Sequence, residues 1–134
     1  MSRHGYLLDT NIVSALVRDP HGAVARRIAE VGEDAIATSV IVAAELRFGA
    51  GRRGSERLTR QVETLLDVLD VRPFEPPADR HYARIRRQLE RAGTPIGPND
   101  LLIAAQALAE QRIVVTANTG EFDRVEGLRV ENWL

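Results

Sequence analysis

The chain has 134 residues, 44% of them hydrophobic and 28% charged, with a formal net charge of −1 and no cysteine. That length suits one domain with a proper core, and the missing cysteines exclude disulfides and thiolate zinc sites. All 18 cationic residues are arginine, which also excludes a P-loop lysine and lysine Schiff-base chemistry.

The near-neutral balance gives no global basic field. The all-arginine makeup fits either compositional bias or phosphate recognition, because guanidinium groups bind phosphate bidentately. The longest apolar stretch, Leu101 to Ala109 interrupted by Gln106, is far too short to span a bilayer. No long apolar region precedes Asp9, so no secretory signal is expected, and the composition fits a reducing cytoplasm.

In chain order, Gly5 to Leu8 reads as a strand, and Asp9-Thr10-Asn11 supplies cap chemistry for a helix to about Val17. Asp19 to Gly22 is a turn, followed by a helix over about Ala23 to Val31. Ala35 to Thr38 is a short strand, and Thr38-Ser39 leads into a helix from Val40 to about Ala50. Three glycines between Gly49 and Gly54 predict a loop. Leu58, Val62, Leu65, Leu66 and Leu69 recur at helical spacing, so Ser55 to about Leu69 is amphipathic. Val71 to Phe74 is a strand, Pro76-Pro77 punctuates, and Ala78 to Ala92 forms a helix. Its arginines Arg84, Arg86, Arg87 and Arg91 read as a solvated outer face. Gly93 to Asn99 is a loop, with Pro98 placed at the start of a helix that runs to about Glu110. Ile113 to Thr116 is a strand, Thr119 to Phe122 a short turn or helix, and Gly127 to Glu131 an edge strand.

This alternation predicts a single α/β domain over residues 1–134, with a mostly parallel central sheet and helices on both faces. Such sheets bind ligands in the crevice at the carboxyl ends of their strands. Asp9, Glu45, Asp100 and Glu121 all fall at that end. Singly, Asp9 could cap a helix, Asp100 could complement a helix dipole, and Glu121 could be a solvated loop charge. Glu45 has Ile41, Val42, Phe48 and Gly49 as helical neighbours. A carboxylate on an apolar face is costly unless paired, with Arg47 one possible partner and a metal the other. Carboxylates in one crevice repel unless a cation holds them. Oxygen-only ligation suits Mg²⁺, with Mn²⁺ also possible.

The segments carrying these acids resemble a known family. Leu7-Leu8-Asp9-Thr10-Asn11-Ile12, Ser39 to Leu46 with Phe48-Gly49, Gly97 to Ala105, Val115 to Phe122, and Gly127 to Trp133 are together similar to a PIN domain of the VapC toxin ribonuclease type. The resemblance spans nearly the whole chain in order. It departs once: where many PIN domains place an aspartate, this chain has Asn118, leaving Glu121 or Asp123 as the fourth acid.

The resemblance implies an Mg²⁺-dependent endoribonuclease in which Asp9, Glu45, Asp100 and Glu121 are catalytic and metal-binding. Asn11, Thr116 and Asn118 would orient carboxylates or waters. Hydrolysis by water would leave 5′-phosphate and 3′-hydroxyl ends. The three histidines, His4, His21 and His81, lie outside these segments and read as surface or packing residues. Arg47, Arg52 and Arg53 flank Glu45 and could contact RNA phosphates, a solvated face or an antitoxin surface being the other readings. The implied substrate is structured RNA, tRNA or ribosomal RNA. The implied partners are a cognate antitoxin, operator DNA through that antitoxin alone, and a second copy in a homodimer. The face of the Ser55 to Leu69 helix suits either such contacts or plain core. The rival functional reading is a non-catalytic PIN-like module that binds RNA or protein.

Overall fold

The computed structural model describes residues 5–134, so His4 lies outside the described residues. Among these residues the chain forms a 5-stranded sheet of β1 (Tyr6–Leu8), β2 (Ile36–Ser39), β3 (Asp70–Arg72), β4 (Ile113–Val115) and β5 (Val130–Glu131). Every neighbouring pair is parallel. The helices are α1 (Thr10–Arg18), α2 (Ala23–Val31), α3 (Val40–Arg53), α4 (Glu56–Val68), α5 (Ala78–Ala92), α6 (Pro98–Glu110) and the single turn α7 (Thr119–Phe122).

The strand order is β3-β2-β1-β4-β5. The chain therefore moves outward from β1 to β3, then returns past β1 to β4 and β5. Crossovers between parallel strands are right-handed. The reversal of direction thus places α1 to α4 on one face and α5 and α6 on the other. The two legs part between β1 and β4, and a doubly wound sheet opens its ligand crevice at that point. Leu7, Leu8, Ile103, Val114 and Val115 are buried between the layers. Strands covered on both faces carry near-continuous apolar runs, which is why Leu7-Leu8 and Ile113-Val114-Val115 are legible as strands.

The Gly49 to Gly54 segment corrects the sequence expectation. It is not a loop, because α3 continues through Gly49 and Gly51 to Arg53. A helical glycine costs only about 1 kcal/mol relative to alanine, and buried Ala50 anchors that turn against the core. Only Gly54, at φ 65°, takes the left-handed conformation that ends the helix. The apolar face of α4 is largely core: Val62 and Leu66 are buried, and Leu58, Leu65 and Leu69 pack against them.

The edge strand β5 is held by its own continuation. Trp133, 5% exposed, lies against Tyr6 with ring centroids 5.0 Å apart and under the Arg27 guanidinium at 5.2 Å. Its indole N–H donates to Glu131 at 2.9 Å. Trp133→Ala is expected to destabilise the fold by about 3–5 kcal/mol, as for other large aromatic truncations in cores. Urea denaturation would measure it; a loss under about 1 kcal/mol would show that the end of the chain is dispensable to the sheet.

Candidate active site

The crevice begins where β1 ends. Asp9 follows Leu8 and caps α1, its Oδ1 accepting the Thr10 N–H at 2.8 Å. Its Oδ2 accepts the Thr116 hydroxyl at 2.7 Å, just past β4. This bond crosses the point where the two legs of the sheet diverge. Asn11 closes the same corner: its amide nitrogen reaches Asp9 Oδ2 and Thr116 Oγ1, each at 3.4 Å. Its Oδ1 accepts the Ala117 N–H at 2.9 Å.

Glu45 comes from the middle of α3. Its Oε1 accepts the Thr10 hydroxyl at 2.7 Å, so Thr10 joins two carboxylates, one through its backbone and one through its side chain. Sequence reasoning assigned Thr10 only to capping. Glu45 also differs from expectation in its surroundings. Phe48 on its flank is 68% exposed, so Glu45 stands half-buried at a rim rather than on a buried apolar face. Thr10→Val is expected to slow cleavage about 10- to 100-fold, the usual cost of removing a group that orients a ligand, with little change in melting temperature. Wild-type rates in Thr10→Val would show that Glu45 needs no such support.

Asp100 lies in the first turn of α6, which Pro98 opens. Asn118, just beyond β4, is fixed by its N–H donating to Thr116 Oγ1 at 2.9 Å. The Asn118 amide donates to Asp100 Oδ2 at 3.0 Å and to Glu121 Oε2. Glu121 Oε1 also accepts the Gly97 N–H at 3.3 Å. Thr116, Asn118 and Glu121 thus connect the Asp9 corner to Asp100. Asp123, the alternative fourth acid, is exposed at the end of α7.

The electrostatics join the acids into one field. Burial pushes the Asp9 carboxyl above the usual aspartate range, and the charge of Glu45 adds to this, against the hydrogen bonds from Thr116, Thr10 and Asn11. Asp100 is pushed up to about 7, first by desolvation, then by its hydrogen bond with Glu121 and the charges of Asp9 and Glu121. Glu121 is held below the usual glutamate range, chiefly by that same bond to Asp100 and then by Asn118 and Gly97. Asp100 and Glu121 thus titrate as a pair, linked through the Asn118 amide. A crevice that retains a proton on one carboxyl holds more negative charge than it can disperse.

Among the described residues, no three acidic or histidine side chains stand close enough to make a ready cage for a metal. The donor set fits Mg²⁺ nonetheless, since that ion is commonly held by one or two carboxylates, waters and substrate phosphates rather than a full protein cage. His21 is exposed, and His81 on α5 bonds Arg84 at 3.0 Å; among the described residues neither bonds an acid of the crevice.

The three arginines proposed for RNA differ in their engagement. Arg47 is not Glu45's partner: it makes a two-point pair with Glu63 of α4 at 2.9 and 3.0 Å. Arg52 lies over the exposed Phe48 ring at 5.8 Å, and Arg53 is exposed at the end of α3.

A family model of the PIN domain matches residues 6–128. The tRNA(fMet)-specific endonuclease VapC of Shigella flexneri is 35% identical over 129 residues, covering 96% of this chain and 97% of that protein. Ribonuclease VapC2 of Haemophilus influenzae is 37% identical over 131 residues, covering 96% and 98%. Among solved structures, DNA-bound VapBC from Salmonella typhimurium superposes with a TM-score of 0.87 at 32% identity, covering 98% of this chain and 100% of that one. VapBC2 from Rickettsia felis, bound to a promoter DNA fragment, gives 0.84 at 34% identity, covering 96% and 98%.

Proposed function

The chain belongs to the PIN domain family, in its VapC-type ribonuclease branch, and from that premise we propose that it is the toxin of a toxin–antitoxin pair, a divalent-metal-dependent endoribonuclease acting on structured RNA. The observation that carries this reading is the continuous hydrogen-bonded set from Glu45 through Thr10 and Asp9 to Thr116, Asn118, Asp100 and Glu121. It lies at the switch point of the sheet, the usual ligand crevice of this architecture.

In this reading Asp9 and Asp100 are the central oxygen donors for Mg²⁺ or Mn²⁺, with Glu45 and Glu121 at the edges. Glu121 is preferred to Asp123 because Asn118 couples it to Asp100. When bound, the ion would supply Lewis-acid charge at the phosphate and lower the pKa of the attacking water. Thr116 and Thr10 hold Asp9, and Asn118 keeps Asp100 and Glu121 aimed at a common space. Water as nucleophile leaves 5′-phosphate and 3′-hydroxyl ends, without use of the 2′-hydroxyl. Inhibition would come from a cognate antitoxin, with operator DNA engaged through it, and two toxin chains would pair. The groove where Leu16, Ile28, Leu65 and Val68 meet the acidic Glu33, Asp34 and Asp70 is a mixed surface available to such a partner. Among the described residues, no helix is long and apolar enough to cross a membrane.

The test is cleavage of total cellular RNA by the purified, antitoxin-free chain with Mg²⁺, Mn²⁺ or EDTA, followed by end-group analysis. Discrete, metal-dependent cuts with 5′-phosphates are expected. Persistent 2′,3′-cyclic phosphates in EDTA would sink the hydrolytic mechanism. No cleavage by folded protein with either ion would favour a binding module.

A further inference from the structure

We infer that the outer face of α5 is a second contact surface for the RNA, a phosphate-tracking stripe made by Arg80, Arg84, Arg87 and Arg91. This rests on the ribonuclease reading and adds to it a surface outside the acid crevice. The spacing of four, three and four residues puts these side chains on one helical face, over about 16 Å at the rise of an α-helix. All four are exposed. Among the described residues none of the four forms an ion pair; Arg84 lies within hydrogen-bond distance of His81, at 3.0 Å. Their neighbour Arg86, off the stripe, is instead paired with Glu90 at 3.1 Å and bonds Tyr82 at 3.0 Å. The chain carries a net charge of −1, so unpaired arginines in a row are a local excess rather than an overall property.

The stripe is also connected to the crevice. Its four arginines line one groove together with Gln88 and Glu126. Gln88, beside Arg87, donates to the Arg124 carbonyl at 3.0 Å and accepts the Glu126 N–H at 3.2 Å. This fastens the segment after α7 against α5. Arg124 reaches back to the Pro95 carbonyl at 3.1 Å, and its charge acts on Glu121. Arg124 thus adds a cation near Glu121 on the segment that Gln88 fastens to α5, a placement suited to a polyanion whose scissile bond lies in the crevice. Bidentate guanidinium contact favours phosphate, and backbone contacts position an RNA without reading its sequence.

The experiment measures binding of bulk tRNA to the full chain carrying Asp100→Asn, as a function of salt. Adding Arg87→Gln is expected to weaken binding about three- to tenfold near physiological salt and to lower the slope of log K against log salt by about 0.7–0.9, the value of one phosphate contact. Arg86→Gln should change neither, and both variants should melt like the parent. Equal effects of the two substitutions, or an unchanged slope in Arg87→Gln, would overturn the stripe. Unchanged tRNA affinity with lost retention on poly-glutamate would reassign it to an acidic protein segment and also overturn it. Failure of the parent itself to bind tRNA would overturn the stripe, while the ribonuclease reading would still stand or fall on cleavage of total cellular RNA.

Discussion

Asp100→Asn is expected to reduce RNA cleavage by at least about 100-fold, the upper range for groups that merely support a metal ligand, and at the same time to stabilise the metal-free protein at mildly alkaline pH. The two effects have one cause. Asparagine keeps the size of the side chain and an oxygen for the Asn118 amide. It removes a charge that burial, Asp9 and Glu121 all oppose. The folded chain holds a proton on Asp100 up to about pH 7, whereas the unfolded chain releases it near the ordinary value of 3.8. The resulting stability is fully present below the unfolded value and is lost as pH rises through about 7. Asp9, also raised, acts in the same direction. Glu121 runs the other way: its lowered pKa contributes stability above the ordinary value of 4.5 and loses it in acid. Because that lowering comes chiefly from Asp100, the two carboxyls titrate as a pair, and across roughly pH 5.5 to 8 wild-type stability should fall while that of Asp100→Asn stays flatter.

A divalent cation should reverse this trend. In the proposed reading it binds only the folded crevice, so it would stabilise by mass action and would compete with the proton on Asp100. The rise in melting temperature on adding Mg²⁺ should therefore be larger at about pH 8 than at about pH 5.5, and should shrink in Asp100→Asn. Thermal melts at the two pH values, with and without Mg²⁺, read this directly. A shift independent of pH would remove Asp100 from the cation's surroundings. Wild-type cleavage by the variant would remove it from the reaction.

The order of strands and helices was legible because both faces of a parallel sheet are covered, which writes strands as apolar runs such as Leu7-Leu8 and Val114-Val115. The convergence of Asp9, Asp100, Asn118 and Glu121 was legible for a related reason: strand ends in such a sheet share one edge. Long-range contacts were less visible. Arg47 pairs with Glu63 across the α3–α4 junction, a fact that depends on how two helices lie together. The helical Gly49 and Gly51 show propensity yielding to packing, since a weak local preference loses to the burial of Ala50. Thr10 looked like one more capping residue, and only the fold brings the hydroxyl to Glu45. The interruption of an apolar run by Gln106 was visible in the sequence, but its meaning required the ends of β2 and β3 to be in place.

Gln106→Leu should be among the most damaging substitutions outside the acids. Gln106 is 1% exposed and fully engaged. Its Oε1 accepts the Ser39 hydroxyl at 2.6 Å, and its amide donates to the Arg72 and Pro73 carbonyls at 3.2 Å each and to Glu110 at 3.1 Å. Leucine fits the apolar pattern of α6 better, so propensity and hydropathy both predict improvement. The buried partners decide otherwise, because each one left unsatisfied costs about 1–3 kcal/mol. With the added apolar burial offsetting part of this, a net loss of about 2–4 kcal/mol is expected, or roughly 10 °C in melting temperature for a domain of this size. The loss should extend to activity. Ser39 caps α3 through the Ile41 N–H at 3.0 Å, so Gln106 ties the helix carrying Glu45 to the helix carrying Asp100. Cleavage per folded molecule should therefore fall as well, measured well below the melting transition with the folded fraction taken from circular dichroism. Ser39→Ala, which keeps three of Gln106's bonds and loses the cap, should lie between wild type and Gln106→Leu in both readings. A Gln106→Leu protein as stable and active as wild type would mean that the two acid-bearing helices are positioned by apolar packing alone.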